Sequence, residues 1–260
     1  DLSYKAFDTP QIAIRGRAIF KNNNVYGAAS QTASIRENHA FQFYRANAAV
    51  VENNNFSDIA NTAGGFFVGA TAGFSIDFSS DCYLVDNEIR FSGGGTNGGA
   101  FFVYASTGIM ISRNNFKEVG GNTFAFSDGN KDINFVNNRI NVSRAAGDEG
   151  LILFNVAGPG TNPASTATIR ISGNLITTSV NATAPLIGND TVTGSAGFGL
   201  VIENNVAICT GANSWTFVET QADFVRTIIT GNKVYGCSAF LTDAGASTQQ
   251  SGNFLNGIAQ

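Results

Sequence analysis

Ile109-Met110-Ile111-Ser112-Arg113-Asn114-Asn115-Phe116 is followed 24 residues later by Ile133-Asn134-Phe135-Val136-Asn137-Asn138-Arg139-Ile140. Both stretches read apolar, any, apolar, two residues, Asn, any, apolar. The phrase extends in both directions, as Ala18-x-Phe20 before Asn23, Ala49-x-Val51 before Asn54 and Cys82-x-Leu84 before Asn87. Downstream come Ile169-x-Ile171 before Asn174, Leu200-Val201-Ile202 before Asn204, Ile229 before Asn232 and a weak copy ending in Asn253 and Leu255. The register of the Asn204 copy is open by one residue. The nine asparagines recur at intervals of 21 to 36 residues with a mean near 29. A period of this size marks a solenoid, propeller or array. Helical repeats hold their period nearly fixed, whereas a β-solenoid absorbs length at its corners, so the uneven spacing selects the latter.

A second apolar strand lies between asparagines, as Phe41-x-Phe43, Phe66-x-Val68, Phe101-x-Val103, Phe124-x-Phe126, Ile152-x-Phe154 and Trp215-x-Phe217. Alternation of aromatic and β-branched residues between Gly-rich turns is a strand signal. Composition agrees. Only 13% of residues are charged, against about 25% in ordinary domains, which disfavours a helical bundle. Hydrophobic residues at 43% are enough for a core and exclude intrinsic disorder. The net charge of -4 and scattered cations exclude an electrostatic nucleic-acid binder. The uncharged stretch from Phe91 to Ser112 is broken by glycines and is no membrane span.

The phrase and its spacing resemble the asparagine ladder of the right-handed parallel β-helix proteins, the pectate-lyase-like superfamily, from about Ala18 to Leu255. The resemblance implies an all-β chain folded as a single-stranded right-handed parallel β-helix of about eight to nine turns. Residues 1–260 then form one domain, with 1–11 as a lead-in, 12–255 as the turns and 256–260 as a tail. The poor capping at both ends reads as a fragment of a longer chain or as capping by partner subunits. In this geometry each asparagine is expected at a corner, in the left-handed conformation, with its amide bonded to neighbouring turns.

For function the resemblance implies a protein of bacteriophage tailspike type that binds polysaccharide, with or without cleaving it, extracellular or on a virion surface. A structural or adhesive shaft is the alternative. The resemblance stops at the fold: neither the aspartates and catalytic arginine of pectate lyases nor the motifs of polygalacturonases occur, and Arg170 and Arg226 have no acidic column beside them. Stacking is expected to gather Asp190, Glu219 and Asp243 at one corner, as catalytic carboxylates, as a Ca2+ site or as solvated corner residues. Trp215, Tyr104 and Tyr44 are candidate sugar platforms. The single histidine, His39, has no nucleophile motif beside it.

The residue four before each asparagine should point outward. That column reads Ile19, Val50, Tyr83, Met110, Asn134, Arg170, Leu200 and Ile228. Its apolar character calls for cover, either by the chain's own loops or by other copies in a homotrimer. Cys209 and Cys237, both five residues after their asparagines, are expected as stacked core thiols, with a disulfide as the alternative. Cys82 reads as a small core hydrophobe.

Overall fold

The computed structural model describes residues 12–26, 41–61, 74–94, 101–119, 124–126, 130–143, 151–154, 167–181, 185–189, 198–210, 215–220, 226–243 and 247–260. These residues are all-β, with no helix among them. The strands fall into three long sheets of nine, nine and ten strands, and the chain visits the sheets in strict rotation. We call each set of three consecutive strands a rung. The fourth rung, for example, comprises Phe101–Tyr104 in the first sheet, Thr107–Ser112 in the second and Asn115–Val119 in the third. Every pairing between rungs is parallel. This order is compatible with a parallel β-helix.

Alternation sends one set of side chains inward. Phe101, Phe116, Phe124 and Phe135 meet there at ring distances of 4.9 to 6.1 Å, and all are buried. A fully buried Phe contributes roughly 1.5–3 kcal/mol, so this aromatic column anchors the middle rungs. Cys82 is also buried, in the same inward column as Ile109, and burial pushes its thiol pKa up.

The corner between the second and third sheets is the same in all nine rungs: two residues separate the strands, and the second is the ladder asparagine. Each ladder amide oxygen after that of Asn23 accepts from the backbone N–H and the side-chain amide of the preceding ladder asparagine. Asn114 Oδ1, for instance, accepts both at 3.0 Å, while its Nδ2 donates to Leu84 O at 2.8 Å and to Asn138 Oδ1 at 3.1 Å. Buried amide groups that would otherwise be orphaned are thereby paired.

The ladder corrects two expectations. It passes through Asn205, which is buried and bonds Asn232, while Asn204 is exposed. The left-handed residue is the one before each ladder asparagine: Asn22, Asn53, Asp86, Arg113, Asn137, Gly173, Asn204, Gly231 and Gly252 have φ of 54 to 65°. Asn, Asp and Gly tolerate that region best. The shift at Asn205 also changes the outward column, in which Val201 pairs with Arg170 and Ile228 while Leu200 points into the core.

Three further expectations change. The first-sheet strand of the third rung is Phe74–Asp77, paired with Phe41–Tyr44, and Phe66-x-Val68 lies outside the described residues. Cys209 and Cys237 form a disulfide between adjacent rungs, with Cα atoms 5.2 Å apart. The pairing of Ile208 with Tyr235 would set Gly236 opposite Cys209, but Gly236 lies at φ 72° and turns the chain so that Cys237 reaches its partner. A Cβ on Gly236 would meet Cys209 O at 2.0 Å, so only glycine fits. Finally, within the expected tail, Ile258–Ala259 pairs antiparallel with Phe254–Leu255 and covers that edge of the third sheet.

Candidate functional site

The corner between the first and second sheets has a different character. In the strands that lead to it, Phe43 and Val103 point inward, so the residues that follow them, Tyr44 and Tyr104, point outward. In the intervening rung Asp77 holds that register position, and the next residue, Phe78, lies in the left-handed region at φ 50°. That turn puts its ring between the two tyrosines. The Phe78 ring stands 6.1 Å from Tyr44 and 5.2 Å from Tyr104, edge-on to both. Phe78 is 50% exposed.

A bulky residue with positive φ is an outlier that the surrounding structure must hold in place. A second, shorter ladder does so here. Ser79 Oγ accepts from Ala46 N, Ser106 Oγ from Ser79 N and Asn130 Oδ1 from Ser106 N, each at 3.1 Å. Ser106 Oγ also donates to Tyr104 O at 2.8 Å, and Asn130 Nδ2 to Val103 O at 2.8 Å. The three rings therefore form a stripe on a fixed base, with Phe78 exposed and Tyr44 and Tyr104 half-buried beside it. Two exposed arginines flank it, with Arg15 Cζ and Arg45 Cζ 5.5 and 5.3 Å from the centre of the Tyr44 ring.

Of the expected carboxylate corner, Glu219 and Asp243 end two paired strands of the first sheet. The register sets Thr242 beside Glu219, and Asp243 beside Thr220 one residue further on. Asp243 accepts hydrogen bonds from the hydroxyls of Thr220 and Thr248, which tie it to the last rungs. Asp190 lies outside the described residues, as does His39. Among the described residues no group of three His, Cys, Asp or Glu could hold a metal ion. Trp215 is fully buried and its indole N–H donates to Val180 O at 2.7 Å, so it is a core plug rather than a sugar platform. Arg170 does have an acidic neighbour, Glu203 on the next rung.

A polar groove of about 550 Å³ runs along the ladder corner of the first four rungs, lined by Asn22, Asn53, Asn55, Asp86, Glu88 and Arg113 among others. Its charges are matched internally. Arg113 Nε and Nη2 donate to the two oxygens of Asp86 at 2.7 Å, and Lys117 pairs with Glu88 at 2.7 Å. The hydrogen bonds from Arg113 hold the Asp86 carboxyl below its usual range.

Compared with models of protein families, with curated proteins and with solved structures, the chain matches none.

Proposed function

We propose that the nine rungs wind as one right-handed, single-stranded parallel β-helix, similar in character to the pectate-lyase-like and tailspike proteins, and that the protein binds polysaccharide outside the cell or on a virion surface. The observation that carries this reading is the stripe of Tyr44, Phe78 and Tyr104. Sugars present apolar C–H faces that pack on aromatic rings. Successive rungs are spaced about 4.8 Å apart, close to the length of one pyranose unit in an extended chain. The Cys209–Cys237 disulfide suits an oxidising compartment.

The test is a glycan array, followed by affinity measurement on any hit with wild type and a Tyr44→Ala/Phe78→Ala/Tyr104→Ala variant. Loss of binding with unchanged circular dichroism and melting temperature supports the reading. Retained affinity overturns it. Product analysis of the bound glycan reports any cleavage.

Assembly as a homotrimeric shaft is a second reading, favoured by the outward column of the second sheet. Ile19, Tyr83 and Ile228 there are 76%, 44% and 42% exposed. A monomer in light scattering would remove it.

A further inference from the structure

Resting on the glycan-binding reading, we infer that the ligand of the aromatic stripe is an anionic polysaccharide, bearing carboxylate or sulfate groups that Arg15 and Arg45 receive. Of the five other described cations on the first four rungs, Arg17, Lys21, Arg90, Arg113 and Lys117, four are ion-paired. Lys21 pairs with Glu52 at 3.0 Å, Lys117 with Glu88 at 2.7 Å and Arg113 with Asp86 at 2.7 Å, and Arg90 pairs with Glu118. Each of these pairs joins two neighbouring rungs. Among the described side chains, Arg15, Arg17 and Arg45 have no such carboxylate, and of the three Arg15 and Arg45 share the Tyr44 ring.

Placing two guanidinium groups on one ring gathers like charge, which repels at this range. The arrangement becomes favourable when an anion joins them. A guanidinium held against an aromatic ring keeps its in-plane N–H groups free for bidentate bonds to carboxylate or sulfate. Backbone geometry fixes one of the two, because Arg45 sits in the left-handed region at φ 52°. The corresponding corner residues of the next two rungs, Phe78 and Ala105, have φ of 50 and 45° and carry no charge. The cationic end of the stripe is thus confined to the first two rungs, and the aromatic end extends over the following two. A chain that lay along the stripe would stack sugar rings on Phe78 and Tyr104 and set an acidic substituent at Tyr44. With a net charge of -4 the protein repels polyanions as a whole. Selectivity for an anionic ligand therefore has to come from this local pair.

The experiment uses two matched sets of oligosaccharides: alginate with its carboxyl-reduced form, and a sulfated galactan with its desulfated form. Each is titrated calorimetrically against wild type, Arg15→Ala/Arg45→Ala and Phe78→Ala. The expected result is that at least one charged form binds about tenfold or more tightly than its neutral counterpart, the size of one charge-assisted hydrogen bond. The arginine variant loses that preference and keeps its affinity for the neutral form, whereas Phe78→Ala weakens both. Which set shows the preference distinguishes a carboxylate from a sulfate ligand. Equal affinity for charged and neutral forms, or a preference that survives the arginine changes, overturns the inference while leaving glycan binding in place. No binding of any form overturns the inference, and a glycan array without a hit overturns the glycan-binding reading with it.

Discussion

The two corners that flank the second sheet follow opposite rules. At the corner to the third sheet, every rung spends two residues, one left-handed and one ladder asparagine. At the corner from the first sheet, the connection ranges from two residues between Tyr104 and Thr107 to twelve between Phe154 and Ala167. The uniform corner is where nine amides stack and pair; a change in any rung breaks a neighbour's hydrogen bonds. Among the described residues, the variable corner carries the short ladder of Ser79, Ser106 and Asn130, and there the chain is free to turn Tyr44, Phe78 and Tyr104 outward. In a repeat protein, what recurs in every unit holds the fold, and a departure confined to a few units is where to look for function.

The strongest way to break this contrast is Asn114→Ala. It orphans Asn87 N–H, removes the donor to Leu84 O and leaves a void, for an expected loss on the order of 5 kcal/mol. Asn23→Ala, at the exposed start of the ladder, should cost under about 1 kcal/mol by comparison. Chemical denaturation of both variants measures the difference. Equal losses would mean that the ladder is not a cooperative element.

Trp215 and Tyr104 sharpen the same contrast, since both were plausible platforms from their aromatic type alone. Trp215→Ala should cost about 3–5 kcal/mol, as for a large core side chain, with no direct effect on glycan affinity. Tyr104→Ala should do the reverse. A Trp215 variant that melts normally but fails to bind would return that residue to the surface.

Next in size is the disulfide. Closing a loop between residues separated by 28 positions stabilises by about 3–4 kcal/mol in the chain-entropy account. Reduction, or Cys209→Ser with Cys237→Ser, should lower the denaturation midpoint accordingly. The stripe lies on the first four rungs and the disulfide joins rungs near the other end, so glycan affinity below the transition should not change. An unchanged midpoint would remove the bond as a stabilising element.

The ladder was legible in the sequence because a buried amide has to recur at one place in each rung, and a recurring letter is visible. The same chemistry explains the slip at Asn204. The left-handed position that precedes the ladder also favours Asn, so Asn204-Asn205 offers two equivalent readings, and only the buried bond to Asn232 decides between them. The site was half legible. Tyr44 and Tyr104 follow inward strand residues and so read as outward. Phe78 was invisible because the strand rhythm gives its place to Asp77, and because Phe66-x-Val68 imitates the strand of that rung. The one available signal is alignment of Phe78 with Arg45 and Ala105 before the Ser79 and Ser106 ladder. The carboxylates were less legible for another reason. Ending a strand does not fix a residue's register, and one position separates Glu219 from the column of Asp243.

The smallest expected effect tests charge at the uniform corner. Asp86 occupies the left-handed position that Asn fills in four other rungs, so Asp86→Asn keeps a residue suited to that backbone and removes only the carboxylate. The hydrogen bonds from Arg113 lower the Asp86 pKa in the folded protein below the value of about 3.9 expected when unfolded. A depressed carboxylate contributes stability that is present above the unfolded pKa and is lost as pH falls through the folded one. The pair is open to solvent, with Asp86 38% and Arg113 57% exposed, so the contribution should stay below about 1 kcal/mol and fade in high salt. Denaturation of wild type and Asp86→Asn at neutral pH should therefore differ slightly in favour of wild type, and the difference should close on acidification below about pH 4. A gap that widened in acid would mean that the carboxylate is not held in its charged form, and that the groove along this corner is built on some interaction other than the Arg113 pair.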